Sequence, residues 1–193
     1  MSLDPENWQK SLRESYTSVE ELIRDGLVSE FPDPKLNDIF KSYKVRIPKY
    51  YASLIQKQSL LERQDNPCPI YAQAIPTPLE LEPELPKWLR EISVKIYGKN
   101  SPANSDAIGD RALMKAPRLT HRYSNRVIIH STSACGLYCR FCFRKTHLND
   151  SEGQLYAGGL KEALNYVQNR GEIREVILTG GDPLTLSDSA LLD

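Results

Sequence analysis

At 193 residues the chain is long enough for one medium domain, or for a small domain joined to part of a larger one. Its 25 Lys and Arg residues balance 25 Asp and Glu, so no global field favours nucleic acid or an anionic membrane. The opening Met1-Ser-Leu-Asp-Pro-Glu6 carries acids and no apolar run, and no stretch reaches the length of a membrane span; the expectation is a cytoplasmic protein with no nucleic-acid or membrane partner.

Residues 1–105 read as a mainly helical, proline-punctuated region. Pro5 suits the first turn of a helix running through Trp8 and Leu12. Ser18-Val-Glu-Glu21 has capping-box spacing, with Leu22 and Ile23 behind it and Gly26 as a terminator. After Pro32-Asp-Pro34 comes a short helical pattern, Leu36, Ile39 and Phe40. Another follows Pro48, with Tyr51, Leu54 and Ile55 on one face. Prolines at 67, 69, 76, 78, 83 and 86 forbid long regular elements, which makes 66–86 an extended connector. A helix through Trp88, Leu89 and Ile92 and a loop over 98–105 complete the region.

Residues 106–193 have a different texture. Val127-Ile-Ile129, within 126–133, is a short β-branched strand signal. Leu160, Ala163, Leu164 and Val167 recur at helical spacing and predict a helix ending near Gly171. Val176-Ile-Leu178 then reads as a second strand, closed by Thr179-Gly-Gly-Asp-Pro183. Strand, loop, helix and strand in this order predict a parallel pair with a right-handed crossover. A third element starts at Asp188. Two parallel strands cannot cover both faces of a sheet, so the sequence predicts a truncated α/β domain, a fragment.

The chemistry-bearing feature is Cys135-Gly-Leu-Tyr-Cys139-Arg-Phe-Cys142, three thiols on the loop after the first strand. Intervals of four and three residues let one loop wrap a small object with three sulfurs. A cubane iron–sulfur cluster accepts such thiolates and would keep one iron open for another ligand. A structural zinc site is the bland alternative, with His130, His147 or Cys68 as fourth ligand. Cys68, isolated in Asn-Pro-Cys-Pro69, reads as an incidental thiol.

This spacing resembles the CxxxCxxC signature of radical S-adenosylmethionine enzymes. Asp65-Asn-Pro-Cys-Pro-Ile70, Gln73-Ala-Ile-Pro-Thr77, Leu119-Thr-His-Arg-Tyr123, Asn125-Arg-Val127, Cys142-Phe-Arg144 and Thr179-Gly-Gly-Asp-Pro-Leu184 further resemble, in order and spacing, the lysine 2,3-aminomutase family over roughly residues 40–193. The resemblance implies a helical N-terminal region followed by the first strands of a partial (β/α) barrel. It implies that Cys135, Cys139 and Cys142 bind a [4Fe–4S] cluster whose open iron takes S-adenosylmethionine, with Gly180, Gly181 and Asp182 contacting that cofactor. It places Arg122, Tyr123 and Arg126 around pyridoxal 5′-phosphate and Arg144 on the substrate carboxylate. Tyr138 and Phe141 would shield the cluster or pack near adenine, or simply pack the loop.

The activity implied is interconversion of L-lysine and β-lysine, the substrate held as a pyridoxal aldimine while a 5′-deoxyadenosyl radical takes a hydrogen atom. The electron donor implied is a flavodoxin or ferredoxin, and the full-length protein is implied to be a homo-oligomer. The lysine that forms the pyridoxal Schiff base has no counterpart in this chain, so covalent pyridoxal binding and activity of the chain alone are not expected. The enzyme that makes (R)-β-lysine for elongation factor P, and glutamate or arginine mutases, are the related alternatives; Arg46-Ile-Pro48 leans towards the first. His121 reads as satisfying a local hydrogen bond, and Arg140 and Lys145 as solvated or structural. Asp106-Ala-Ile108 departs from the family's pattern and carries no implied role.

Overall fold

The computed structural model describes residues 8–30, 32–55, 68–81, 87, 91, 92, 94, 95, 106, 108–148 and 155–192. The expectations for Pro5, Asp65-Asn-Pro67, Trp88-Leu89 and the 98–105 loop lie outside these residues. Among the described residues no helix is long and apolar enough to cross a membrane.

The N-terminal region is a set of short helices around one core. Helix α1 spans Trp8–Arg13 and α2 spans Val19–Arg24. The capping box before α2 is present: Glu21 N–H donates to Ser18 Oγ at 3.3 Å, and the Glu21 carboxylate accepts from Ser18 N–H at 3.3 Å. Gly26, at φ +66, takes the left-handed conformation that ends the helix. Helix α3 (Lys35–Ser42) buries Leu36 and Ile39, and Phe40 packs beside the core.

Helix α4 (Lys49–Ser53) is shorter than its apolar spacing predicts. Because it stops at Ser53, the expected face divides: Ile55 turns inward while Leu54 stays exposed. The proline-rich stretch is also not simply extended. Helix α5 (Pro69–Ala74) starts on Pro69, whose missing N–H costs nothing in a first turn, and a 3₁₀ turn covers Pro78–Leu81. Tyr16, Leu22, Leu27, Ile47, Ile55 and Ile75 make the core. Tyr16 and Ile47 exchange backbone hydrogen bonds of 2.9 and 3.1 Å across it.

The second region is a four-stranded sheet: β1 (Met114–Ala116), β2 (Leu119–Tyr123), β3 (Arg126–Thr132) and β4 (Glu175–Gly180), in that order. The predicted parallel pair is β3 and β4, with Val127 opposite Val176 and Ile129 opposite Leu178. The antiparallel β1–β2–β3 meander before it was not expected from the sequence. The chain passes from β3 to β4 through α6 (Lys145–Leu148) and α7 (Lys161–Gln168); α8 (Asp188–Leu192) follows β4.

Helix α7 seats Ala163 on Leu119, Val127 and Ile129, a second and smaller core. Leu164, expected on the same face, is exposed instead. Strand β4 is one of the sheet's two edge strands, and its Val176, Ile177 and Leu178 are each at least 40% exposed. The fold is mixed α/β. Its cysteine-bearing loop leaves the carboxyl end of β3, between the two cores.

Candidate functional site

The loop is held by the N-terminal region along its length. Arg46 donates from Nη1 to the Cys135 carbonyl at 3.0 Å, and Tyr138 N–H returns a bond to the Arg46 carbonyl at 3.3 Å. Arg140 N–H donates to the Gln73 carbonyl at 2.8 Å, and Leu137 packs against the N-terminal core. The strongest tie is ionic. Arg140 places Nε and Nη2 on the two oxygens of Glu80 at 3.0 and 2.5 Å, while Lys145 Nζ reaches Glu80 at 2.9 Å.

The Arg140 and Glu80 side chains are 5% and 9% exposed, so this is a buried bidentate pair. Burial alone would raise the Glu80 pKa, but the hydrogen bonds and charges of Arg140 and Lys145 outweigh it and hold the carboxyl below its ordinary value. Arg140 and Lys145 are therefore structural, as expected, and Glu80 is the partner that the sequence did not announce. The aromatics inside the loop separate. Tyr138 is buried beside the Arg46 guanidinium, 5.7 Å from its ring, whereas Phe141 is 70% exposed.

Gly180, Gly181 and Asp182 sit against the start of the same loop. Gly181 N–H donates to the Thr132 carbonyl at 2.6 Å and Asp182 N–H to the Ala134 carbonyl at 2.7 Å. A β-carbon at Gly180, whose φ is +119, would fall 2.5 Å from the Thr132 oxygen. One at Gly181 would fall 2.7 Å from the Ala134 carbonyl carbon. Here the glycines permit close approach of β4 to the cysteine loop itself. One Asp182 carboxylate oxygen accepts from Leu184 N–H at 3.0 Å, capping the following 3₁₀ turn, which is the ordinary role for such a residue.

All three loop cysteines are free thiols and half-buried. Burial first, then the charges of Cys142, Asp182 and Cys139, push the Cys135 thiol up to about 11. Cys139 is raised by burial and by Cys142. The Asp182 carboxylate and the three sulfurs thus share one electrostatic neighbourhood. Among the described residues no three His, Cys, Asp or Glu side chains meet around one ion. Three thiolates are one short of the four ligands of a structural zinc site, whereas a cubane takes thiolates at separate irons and can leave one iron to another ligand, so three cysteines on one loop suit a cluster. Two of the proposed fourth zinc ligands each have one ring nitrogen engaged: His130 Nε2 with Thr120 Oγ1 at 3.0 Å, and His147 Nδ1 with Arg111 at 3.1 Å.

Arg144 lies just beyond the loop and contacts Asp110, with Nε and Nη2 at 3.0 and 2.9 Å from Oδ2. Asp110 is buried and its other oxygen, Oδ1, has no partner among the described residues. Arg122, Tyr123 and Arg126 are not brought to the cysteines. They sit on the β2–β3 hairpin, at the opposite end of β3, about 20 Å along the strand at roughly 3.3 Å per residue. Arg122 donates to the Ile108 carbonyl, and Arg126 is 3.4 Å from Glu175 with its guanidinium 5.9 Å from the Tyr123 ring. Both guanidiniums thus already have a protein partner at this end of the sheet. His121 bonds Tyr166 OH through Nδ1 at 2.9 Å.

Residues 125–193, which include all three loop cysteines, match a family described as a 4Fe-4S single cluster domain. That defines the class of the site. The chain is 30% identical to L-lysine 2,3-aminomutase of Clostridium subterminale over 97% of its own length and 40% of the relative's. It is 35% identical to a putative L-lysine 2,3-aminomutase of Aquifex aeolicus over 83% of this chain and 37% of the relative. Glutamate 2,3-aminomutase of Clostridioides difficile is 28% identical over 97% of this chain and 39% of the relative. The chain belongs to the lysine 2,3-aminomutase family of radical S-adenosylmethionine enzymes. It spans about two fifths of the length of the curated relatives it matches.

Proposed function

We propose that this chain supplies the cluster-binding part of a 2,3-aminomutase that moves the α-amino group of an amino acid to C3, with L-lysine as substrate and β-lysine as product. The observation that carries the reading is the cysteine loop at the carboxyl end of β3, with Gly180-Gly-Asp182 hydrogen-bonded onto its first residues. Cys135, Cys139 and Cys142 hold the [4Fe–4S] cluster, and Asp182 pairs with the ammonium of S-adenosylmethionine. When bound, the cluster supplies the electron that cleaves the sulfonium of S-adenosylmethionine to methionine and a 5′-deoxyadenosyl radical. Arg144, oriented by Asp110, receives the substrate carboxylate; Arg122, Tyr123 and Arg126 serve the pyridoxal phosphate group once released from Ile108 and Glu175. Residues 1–105 act as the support for the loop, and 106–193 as the beginning of a barrel domain.

Glutamate is the second substrate reading, because a glutamate 2,3-aminomutase matches over the same share of this chain as a lysine enzyme. Anaerobic loading with iron and sulfide, followed by dithionite and S-adenosylmethionine, tests the core of the proposal. Formation of methionine and 5′-deoxyadenosine is expected; a chain that purifies with zinc and takes up no iron or sulfide overturns it. Isomerisation of lysine against glutamate and arginine, assayed in the longer protein, then decides the substrate.

A further inference from the structure

We propose that the Tyr156 hydroxyl donates a hydrogen bond to a sulfur of the cluster held by the cysteine loop, and thereby favours the cluster's reduced state. The inference rests on the cluster reading above and adds to it a residue outside the cysteine motif.

Tyr156 is fixed from several sides at the carboxyl end of β3. Its carbonyl accepts from Arg118 Nε at 3.0 Å, and the same guanidinium donates from Nη1 to the Ser131 carbonyl at 3.1 Å. Arg118 holds this position from a left-handed backbone conformation, φ +60, between β1 and β2. The Tyr156 ring stands edge-on to buried His130, centroids 5.8 Å apart. It also lies on Gly180, where a β-carbon would come within 2.9 Å of its Cε1. Leu155 beside it is fully buried.

The hydroxyl at the end of this fixed ring is buried and has no hydrogen-bond partner among the described residues. A buried donor left unsatisfied destabilises the fold, so such a group in a well-anchored side chain calls for an acceptor. The ring's position indicates which one: it lies on Gly180, and the next two residues, Gly181 and Asp182, hydrogen-bond Thr132 and Ala134 directly before Cys135. Burial is the main reason the phenol's pKa is raised; the Arg144 charge opposes, and the charges of Cys135, Cys142 and Asp110 add to the rise. The hydroxyl therefore stays a donor, in the neighbourhood of two of the three ligating sulfurs. A cluster bound by three thiolates is an electron-rich acceptor, and one-electron reduction makes its sulfurs more so. Hydrogen bonds to those sulfurs stabilise the reduced form and raise the reduction potential.

The test loads the full chain and its Tyr156→Phe variant anaerobically with iron and sulfide and titrates each with dithionite, following the paramagnetic resonance of the reduced cluster. Tyr156→Phe should bind the same iron and sulfide but hold about tenfold less reduced cluster at a fixed potential, a fall of about 59 mV for a one-electron couple. Placing 4-aminophenylalanine at position 156, which keeps a donor, should restore most of the loss. An unchanged or higher potential in Tyr156→Phe overturns the proposal, as does a fall that the amino analogue does not restore. If the unsubstituted chain itself takes up no cluster, the functional reading fails and this inference with it; a loaded chain with an unmoved potential sinks the inference alone.

Discussion

The two cores of the molecule are unequal. The N-terminal core closes on itself: Leu22, Ile47 and Ile75 are fully buried, Leu22 on a six-residue helix and the other two just outside short helices. The sheet core is covered on the α7 side, while β4 leaves Val176, Ile177 and Leu178 in the open. Yet the sheet region carries the cysteines. The difference teaches that the loop derives its definition chiefly from the region without the chemistry, through Arg46, Gln73 and Glu80.

The largest test of that asymmetry is Glu80→Ala, which strands the buried Arg140 and should cost about 3–5 kcal/mol in denaturant unfolding. A cost well under about 1 kcal/mol would mean that the two regions are not coupled there. Next, Ile47→Ala should cost about 2–5 kcal/mol, because a fully buried side chain in a closed core leaves a cavity. Acid should act in the same direction on both regions. His130 is buried, and burial with the Arg144 charge lowers its pKa from 6.5 to about 4. Its contribution is therefore full above pH 6.5 and is lost as pH falls towards 4, on the order of 3 kcal/mol. Glu80, held below its ordinary value, adds to this loss at still lower pH; a stability profile flat from pH 7 to 4 would contradict the first, and one with no further loss at lower pH the second.

Gly181→Ala drives a β-carbon into the Ala134 carbonyl and should cost about 1–3 kcal/mol while lowering cluster uptake. The smallest effect belongs to β4: Val176→Thr, at an exposed site, should stay within about 0.5 kcal/mol by thermal melting. A larger loss would show that this strand is covered in solution.

Legibility in the sequence followed the range of the interactions. The capping box at Ser18 and Glu21, the stop at Gly26 and the strands around Val127-Ile-Ile129 and Val176-Ile-Leu178 rest on residues close in the chain, and all are present. Strand β2 was hidden because Leu119-Thr-His-Arg-Tyr123 alternates only weakly: its two buried positions, Leu119 and Thr120, are adjacent. Helix α5 was hidden by its own proline, which breaks a helix interior yet starts a helix well. The cysteines were evident from spacing alone. Glu80, Asp110 and Tyr156 were not, because their partners lie 60, 34 and 38 residues away and no local pattern marks a pair closed by folding.

The Glu80 triad also has a consequence for the timing of order. Immobilising backbone costs about 1–2 kcal/mol per residue, and a free loop of this length would meet that cost when its cofactor arrived. Here Arg140 and Lys145 are already tied down on Glu80, and Cys135 and Tyr138 on Arg46. The entropy is surrendered when the helices collapse, so the thiols wait in a restricted arrangement and the arriving ligand has less disorder to overcome.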